Sequence, residues 1–242
     1  MLLAIDVGNT QIKLAVFEQN TLINKKTIPY SEWKKEVENT LIFFSEIKNI
    51  AVASVGKLQK EDFLGIKKDV GVYFFSYQSK FPFLNQYATP DTLGIDRMVL
   101  AAGAVLQFPN QNRLVIDTGT CITYDFIDAA DVYHGGAISP GIRLRYESLH
   151  NYTAKLPLLI TEIPQKLIGN STDQAIHSGI INGVSLEIDG FISSVLNKND
   201  NFIIILTGGD SEFLAERLKN TIFANPNFLL ESLNQTFQYN QQ

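Results

Sequence analysis

Three strand-like runs in this chain end in a glycine turn that also carries carboxylates or hydroxyls. They are Asp6-Val7-Gly8-Asn9-Thr10, Asp117-Thr118-Gly119-Thr120 and Thr207-Gly208-Gly209-Asp210. Glycine lets the backbone approach an anion closely and offers its N–H as a donor. Asn and Thr side chains add neutral donors. An aspartate can hold a cation directly or through water. Phosphate binding with an accompanying cation is the chemistry such a set serves. One Asp-x-Gly turn alone is more often a plain hairpin, since hairpin loops favour the same residues. Three at strand ends of one chain form a more specific signal. The Gly-x4-Gly-Lys-Ser/Thr pattern of P-loop enzymes is absent.

These turns need strands and helices to hold them. Leu2 to Ile5 and Gln11 to Phe17 read as two strands joined by the first turn. Trp33, Val37, Leu41 and Phe44 follow helical spacing, which predicts an amphipathic helix over roughly residues 31–46. Asn49 to Val55 and Val72 to Phe75 read as strands, Lys80 to Pro90 as a loop, and Asp91 to Phe108 as largely helical. In the second half, strands are expected at 113–116, 122–127, 133–138 and 202–206. Helices are expected at 141–151, 173–195 and around 211–219, with a loop at 152–172. The polar tail from Ser232 to Gln242 is expected to fray.

Leu3-Ala4-Ile5-Asp6-Val7-Gly8 matches Leu114-Val115-Ile116-Asp117-Thr118-Gly119 at an offset of 111 residues. β-prone segments follow both. The repeat occurs twice only, so it predicts two similar α/β lobes rather than a solenoid. The boundary is expected at 112/113, giving an N-terminal lobe of residues 1–112 and a C-terminal lobe of 113–242.

Composition narrows the function. Hydrophobic residues make up 45% of the 242, enough for a real core. The formal net charge of -5 argues against nucleic-acid binding, which wants a basic surplus. Cys121 is the single cysteine, so no disulfide can form within the chain, as suits a reducing cytoplasm. The N-terminus has no basic region ahead of an apolar run, and no apolar stretch is long enough to span a bilayer. A soluble cytoplasmic protein is therefore expected. His134, His150 and His177 do not cluster along the sequence and read as structural or exposed.

Two strand–turn–strand phosphate loops plus a third glycine turn resemble the actin-like ATPase superfamily. The likeness sharpens at Asn85-Gln86-Tyr87-Ala88-Thr89-Pro90-Asp91-Thr92-Leu93-Gly94-Ile95-Asp96-Arg97. It continues through Gly135-Gly136-Ala137-Ile138-Ser139-Pro140-Gly141, Thr153-Ala154-Lys155-Leu156-Pro157 and Ile168-Gly169-Asn170-Ser171-Thr172. These motifs, in this order, resemble the type III pantothenate kinases from Asp6 to Asp210. The resemblance implies an α/β fold of two RNase H-like/actin-like ATPase lobes with ATP in a cleft between them. It implies ATP-dependent phosphorylation of pantothenate to 4′-phosphopantothenate, the first step of coenzyme A biosynthesis. Asp96 would be the general base. Asp6, Val7, Gly8, Asn9, Thr10, Gln11, Ile12 and Lys13 would form the first ATP loop, and Thr120 would contact ATP from the second. Tyr87, Gly94, Ile95, Asp96, Arg97 and Thr172 would meet the substrate, Arg97 by pairing with its carboxylate. Asp117 resembles the family's monovalent-cation ligand, for potassium or ammonium. Mg2+ would travel with ATP, and a homodimer is implied.

Each residue also has a plainer reading. Asp96 could simply complement a helix dipole beside a surface arginine. Tyr87 could be a core aromatic, Thr172 a helix N-cap before Asp173, and Asp117 a turn-capping acid. Cys121 stands where small residues are usual in the family's second loop and is expected to pack within its lobe. Two other functions remain open from the sequence. One is a kinase for another small hydroxyl or carboxylate acceptor. The other is a non-catalytic regulatory relative on the same scaffold, since some relatives are named as accessory transcription factors. A filament subunit is disfavoured by the short chain.

Overall fold

The computed structural model describes residues 1–242 except 57, 64, 67, 68, 197–200 and 221. In chain order the elements are β1 (Leu2–Val7), β2 (Ile12–Glu18), β3 (Thr21–Ile28), α1 (Trp33–Phe43), β4 (Asn49–Ser54), β5 (Gly71–Phe74), β6 (Leu84–Asn85) and α2 (Ile95–Gln107). There follow β7 (Asn112–Thr118), β8 (Cys121–Ile127), β9 (Val132–Pro140), α3 (Ile142–Asn151), α4 (Thr172–Val195), β10 (Phe202–Thr207), α5 (Ser211–Ala215), β11 (Phe223–Ala224) and α6 (Phe228–Asn240).

The first sheet has strand order β3-β2-β1-β4-β5. β1 runs antiparallel to β2 and parallel to β4, and β4 runs parallel to β5. In the second sheet the run β9-β8-β7-β10-β11 repeats that order, with β10 parallel to both β7 and β11. The short repeat at an offset of 111 residues is thus a repeat of topology: β7 takes the place of β1. β6 pairs in parallel with Val132 and Tyr133 at the start of β9.

The chain forms two compact units. Residues 1–110, 127–134 and 227–242 make the first, and 111–126 and 135–226 the second. A single cut at 112/113, as expected from the sequence, misses two returns of the chain to the first unit. The later return is α6. Its Phe228, Leu230 and Leu233 are buried to 1% exposure or less, with Leu229 and Phe237 at 7% or less. Burying each such side chain contributes about 1.5–3 kcal/mol. That outweighs the polar composition from which a frayed tail was expected. Two of the buried polar side chains of the helix find partners: the Asn234 amide donates to the distant Gln19 carbonyl, and the Thr236 hydroxyl to Ser232 O.

Strand parity decides which residues reach the site. All six residues of β1 are buried, as expected of a central strand covered on both faces. Leu3, Ile5 and Val7 join a core with Val37 and Leu41 of α1. Alternation sends Leu2, Ala4 and Asp6 to the opposite face. On that side α6 packs on β1, and α2 on β4 and α6. In the second unit Leu114 and Ile116 of β7 enter a core with Ile176, Ile180, Ile181, Val184 and Ile188 of α4. Among the described residues, no helix is long and apolar enough to cross a membrane.

α2 and α6 approach closely at Gly103. A Cβ added there would lie 1.8 Å from Ser232 Oγ and 3.0 Å from its Cα. Alanine normally improves a helix interior by roughly 0.5–1 kcal/mol over glycine. Here overpacking should reverse the sign: Gly103→Ala is expected to lower stability by about 1–3 kcal/mol in chemical denaturation. An unchanged or raised midpoint would contradict this packing.

Candidate active site

Asp6 is the penultimate residue of β1, and its side chain lies on the face that α2 covers. It is 5% exposed. Lys13 stands opposite it in the β1–β2 register, with Nζ 3.6 Å from Asp6 Oδ2. Burial penalises the charged carboxylate and pushes its pKa up to about 6, although Lys13 pulls the other way; the charge of Asp96 adds to the rise.

The turn beyond Asp6 is closed by Gly8 N–H donating to Gln11 O at 3.2 Å. Asn9, Thr10 and Gln11 are exposed at its tip, whereas Val7 and Ile12 are buried in the core and could meet a ligand only through backbone. The phenol of Tyr30 donates to the Gly8 carbonyl. Gly56 makes room for it, since a Cβ there would lie 1.8 Å from the Tyr30 hydroxyl.

Asp96 is the second residue of α2, after the N-cap Gly94 and the buried Ile95. Its Oδ1 accepts the Arg97 backbone N–H at 2.8 Å. Burial raises its pKa, against the lowering effects of that hydrogen bond and of the Arg97 and Lys13 charges. The helix N-terminus is a favourable place for a carboxylate, but desolvation is the larger influence. Gly94 is needed for the arrangement: a Cβ there would lie 2.4 Å from Asp96 Oδ1. Arg97 is 6% exposed, with its guanidinium carbon 5.9 Å from the centre of the Tyr87 ring. Tyr87 is half-buried, held by its N–H to Asn85 Oδ1 at 2.9 Å and by ring packing on Tyr133. Arg97 is therefore no surface arginine. The first unit thus gathers Asp6, Lys13 and Asp96, and beside Asp96 it sets Arg97 and Tyr87. A buried carboxyl and a half-buried one, both raised in pKa by desolvation, stand with two cations that can face anionic groups.

In the second unit Asp117 occupies in β7 the place of Asp6 in β1, and is half-buried. The turn after it is held from two sides. The Thr118 hydroxyl donates to Thr207 O at 2.7 Å, and Asp210 N–H donates to Thr118 O at 3.1 Å. From the other side, Gly141 N–H donates to Thr120 O at 3.0 Å. A Cβ at Gly141 would lie 2.2 Å from Gly119 O. Gly119 and Thr120 are exposed. The third turn leads into α5, and burial raises the pKa of Asp210.

Three sequence expectations change. Neither Gly8 nor Gly119 presents its N–H outward: Gly8 donates to Gln11 O, and Gly119 to Cys121 O at 3.0 Å. What the first turn presents is Asn9, Thr10 and Gln11 at its exposed tip, together with Lys13. Thr172 is not the N-cap of α4; Ser171 is, accepting Gln174 N–H, and Thr172 is the exposed first helical residue. Cys121 is exposed rather than packed inside.

The histidines have structural partners. His134 pairs with Asp128 at 2.7 Å, His150 Nδ1 lies 2.8 Å from Leu156 O, and buried His177 meets the Tyr146 hydroxyl at 2.7 Å. Among the described residues no group of three or more His, Cys, Asp or Glu could hold a metal ion. A cation here would need oxygens from a ligand as well as from Asp6 or Asp117. That suits a hard cation carried by phosphates. Sequence reasoning missed Tyr30 and the role of Gly141. Nothing in the sequence marks Tyr30 as a partner of Gly8, whereas Gly141 had a signal in its position at a strand-to-helix junction.

Comparison with known proteins gives a consistent result. The sequence model of one family, type III pantothenate kinase, matches residues 2–194. The type III pantothenate kinase of Flavobacterium psychrophilum is 63% identical over 99% of both chains. That of Flavobacterium johnsoniae is 62% identical over 99% of this chain and 98% of its own. Among solved structures, a conserved Baf family protein from Campylobacter jejuni superposes with a TM-score of 0.66 at 22% identity, covering 99% of this chain and 98% of that one. The activator of 2-hydroxyisocaproyl-CoA dehydratase from Clostridium difficile, with bound ADPNP, gives 0.58 at 11% identity, covering 99% and 95%. These distant structures share the actin-like fold, and the full-length relatives go further: this chain belongs to the type III pantothenate kinase family.

Proposed function

We propose that Asp96 is the base that takes the proton from the primary hydroxyl of pantothenate. The reaction itself goes with the family: ATP-dependent phosphorylation of pantothenate to 4′-phosphopantothenate, the first step of coenzyme A biosynthesis. ATP with a divalent metal supplies the γ-phosphoryl group. The hydroxyl oxygen forms the new P–O bond, ADP leaves, and the proton goes to the Asp96 carboxylate. Phosphoryl transfer asks mainly for positioning and charge control. The observation that carries the reading is the setting of Asp96: half-buried, oriented by Arg97 N–H, and raised in pKa beside Asp6 and Lys13. A carboxylate tuned upward is a better proton acceptor near neutral pH.

The remaining assignments belong to the same reading. Arg97 pairs with the pantothenate carboxylate, with Tyr87 lining its surroundings and Gly94 and Ile95 shaping the approach. Thr172 hydrogen-bonds pantothenate. Lys13, Asn9, Thr10 and Gln11 meet the ATP phosphates, with Asp6, Val7, Gly8 and Ile12 framing the turn. Thr120 meets ATP from the second turn. Asp117 takes a monovalent cation, potassium or ammonium. The ADPNP held by the fold neighbour from Clostridium difficile supports the nucleotide part. The enzyme works in the cytoplasm as a homodimer. In favour of the dimer, segment 152–168 leaves Tyr152, Ile160, Leu167 and Ile168 between 67% and 89% exposed; sedimentation of a single-chain mass would contradict it.

Asp96→Asn tests the base. It should lower kcat by roughly 10²–10⁴-fold, with the KM for ATP little changed, in a coupled assay of ADP release. A variant that keeps more than a tenth of wild-type kcat would exclude Asp96 as base.

The raised pKa of Asp6 makes a second prediction. A folded pKa near 6, above the usual 3.8, means its favourable contribution to stability is complete below the unfolded value and is lost as pH rises through about 6. At pH 8 the ionised, buried carboxylate therefore destabilises the fold, by about 3 kcal/mol at most. Asp6→Asn should raise the melting temperature at pH 8 and give no such gain at pH 4, while activity falls. A variant less stable than wild type at pH 8 would contradict this.

A further inference from the structure

Glu187 of α4 is the meeting point of three donors from three other elements. Its Oε1 accepts from the Tyr124 hydroxyl of β8 at 2.9 Å and the Ser139 hydroxyl of β9 at 2.5 Å. Its Oε2 accepts from Arg145 Nη2 of α3 at 2.6 Å. Arg145 uses its Nε for a different purpose, donating to the Pro140 carbonyl at 2.8 Å. The nitrogen of that same peptide is Gly141 N–H, which donates to Thr120 O in the second turn. An unbroken line of hydrogen bonds therefore runs from Glu187 through Arg145 and the 140–141 peptide to Thr120.

We propose that Glu187 is a positioning residue for the second turn, acting through Arg145 and the Pro140–Gly141 peptide on Thr120. The inference rests on the reading that this turn meets ATP. A purely structural role would not need this chemistry. The Arg145 and Glu187 side chains remain 21% and 25% exposed, and partly exposed ion pairs add little to stability. What the pair provides is direction. The guanidinium is planar, so fixing Nη2 on Glu187 fixes the line along which Nε reaches Pro140 O. A lysine cannot make both bonds in that fork. The carboxylate is in turn aimed by Tyr124, which stacks on Phe191 with ring centres 4.2 Å apart. Gly141 completes the device, because its missing Cβ lets the peptide close on Gly119 and Thr120. Peptide 140–141 is thereby held at a fixed angle while the turn stays exposed to a ligand.

Steady-state kinetics of Glu187→Gln and Arg145→Lys, with Thr120→Ala alongside, test the proposal in the full chain. Glu187→Gln should raise the KM for ATP roughly five- to tenfold and leave the KM for pantothenate within about twofold. Arg145→Lys keeps the charge and loses the fork, so it should do the same even where Glu187→Gln folds poorly. An ATP KM unchanged in both variants, or a fall in kcat alone that tracks loss of folded protein, would overturn the proposal. Thr120→Ala separates the two levels. Raised ATP KM for Thr120→Ala with none for Glu187→Gln and Arg145→Lys defeats only the positioning role. Unchanged ATP KM for Thr120→Ala defeats the ATP reading of the turn, and the positioning role with it.

Discussion

Taking a carboxylate out of water is expensive, and the first unit does it fully at Asp6 and in part at Asp96, in one neighbourhood. Asp6 is among the deepest polar side chains of its sheet, at the end of a strand buried on both faces. Lys13, across the strand pair, offsets its charge directly, and burial still wins. Asp96 is brought to the same place because α2 covers the face of the sheet to which strand parity sends Asp6. Small side chains at Ala4 and Ala51 keep that face open to close helix packing. Gly94 then clears space for the Asp96 carboxyl at the start of the helix. Stability is given up at these positions, as is common where protein groups must be held ready for chemistry.

The same plan appears twice, with different solutions at the turn. The strand order and parallel pairings of the first sheet recur in the second, and Asp117 stands where Asp6 stands. The offset that relates the two aspartates relates Lys13 to Tyr124. In the first unit that position supplies a cation to the neighbouring aspartate. In the second it supplies a phenol that reaches Glu187 and so joins the line to Thr120. One turn is tuned by charge and the other by a hydrogen-bonded brace. Duplicated topology explains their likeness, and the single residue across the strand pair explains much of their difference.

Much of this plan could be read from the sequence. The central strands announce themselves as short apolar runs ending in Asp-x-Gly turns, and the Asp117 repeat pointed to a second unit. Asp96, Arg97 and Tyr87 stand in one short stretch of sequence, and the structure sets them side by side. Other features depend on contacts that no local pattern encodes. β3 went unassigned because Lys25 and Lys26 sit in a mostly exposed strand. α6 reads as a polar tail, since Asn234, which helps mark it as polar, is buried against a partner far away in sequence, the Gln19 carbonyl. The engagement of Gly8 N–H within its own turn, the cap at Ser171 and the exposure of Cys121 are details of backbone direction. Each is decided by a single peptide orientation rather than by residue type.

The central claim is that these desolvated carboxylates serve transfer of a phosphoryl group to pantothenate. ADP release by the purified chain, with ATP and magnesium, measured with and without pantothenate in potassium and then in sodium buffer, tests it most directly. The account predicts ADP release that depends on pantothenate and is faster in potassium. Folded protein that binds ATP yet releases no pantothenate-dependent ADP in either buffer would contradict it.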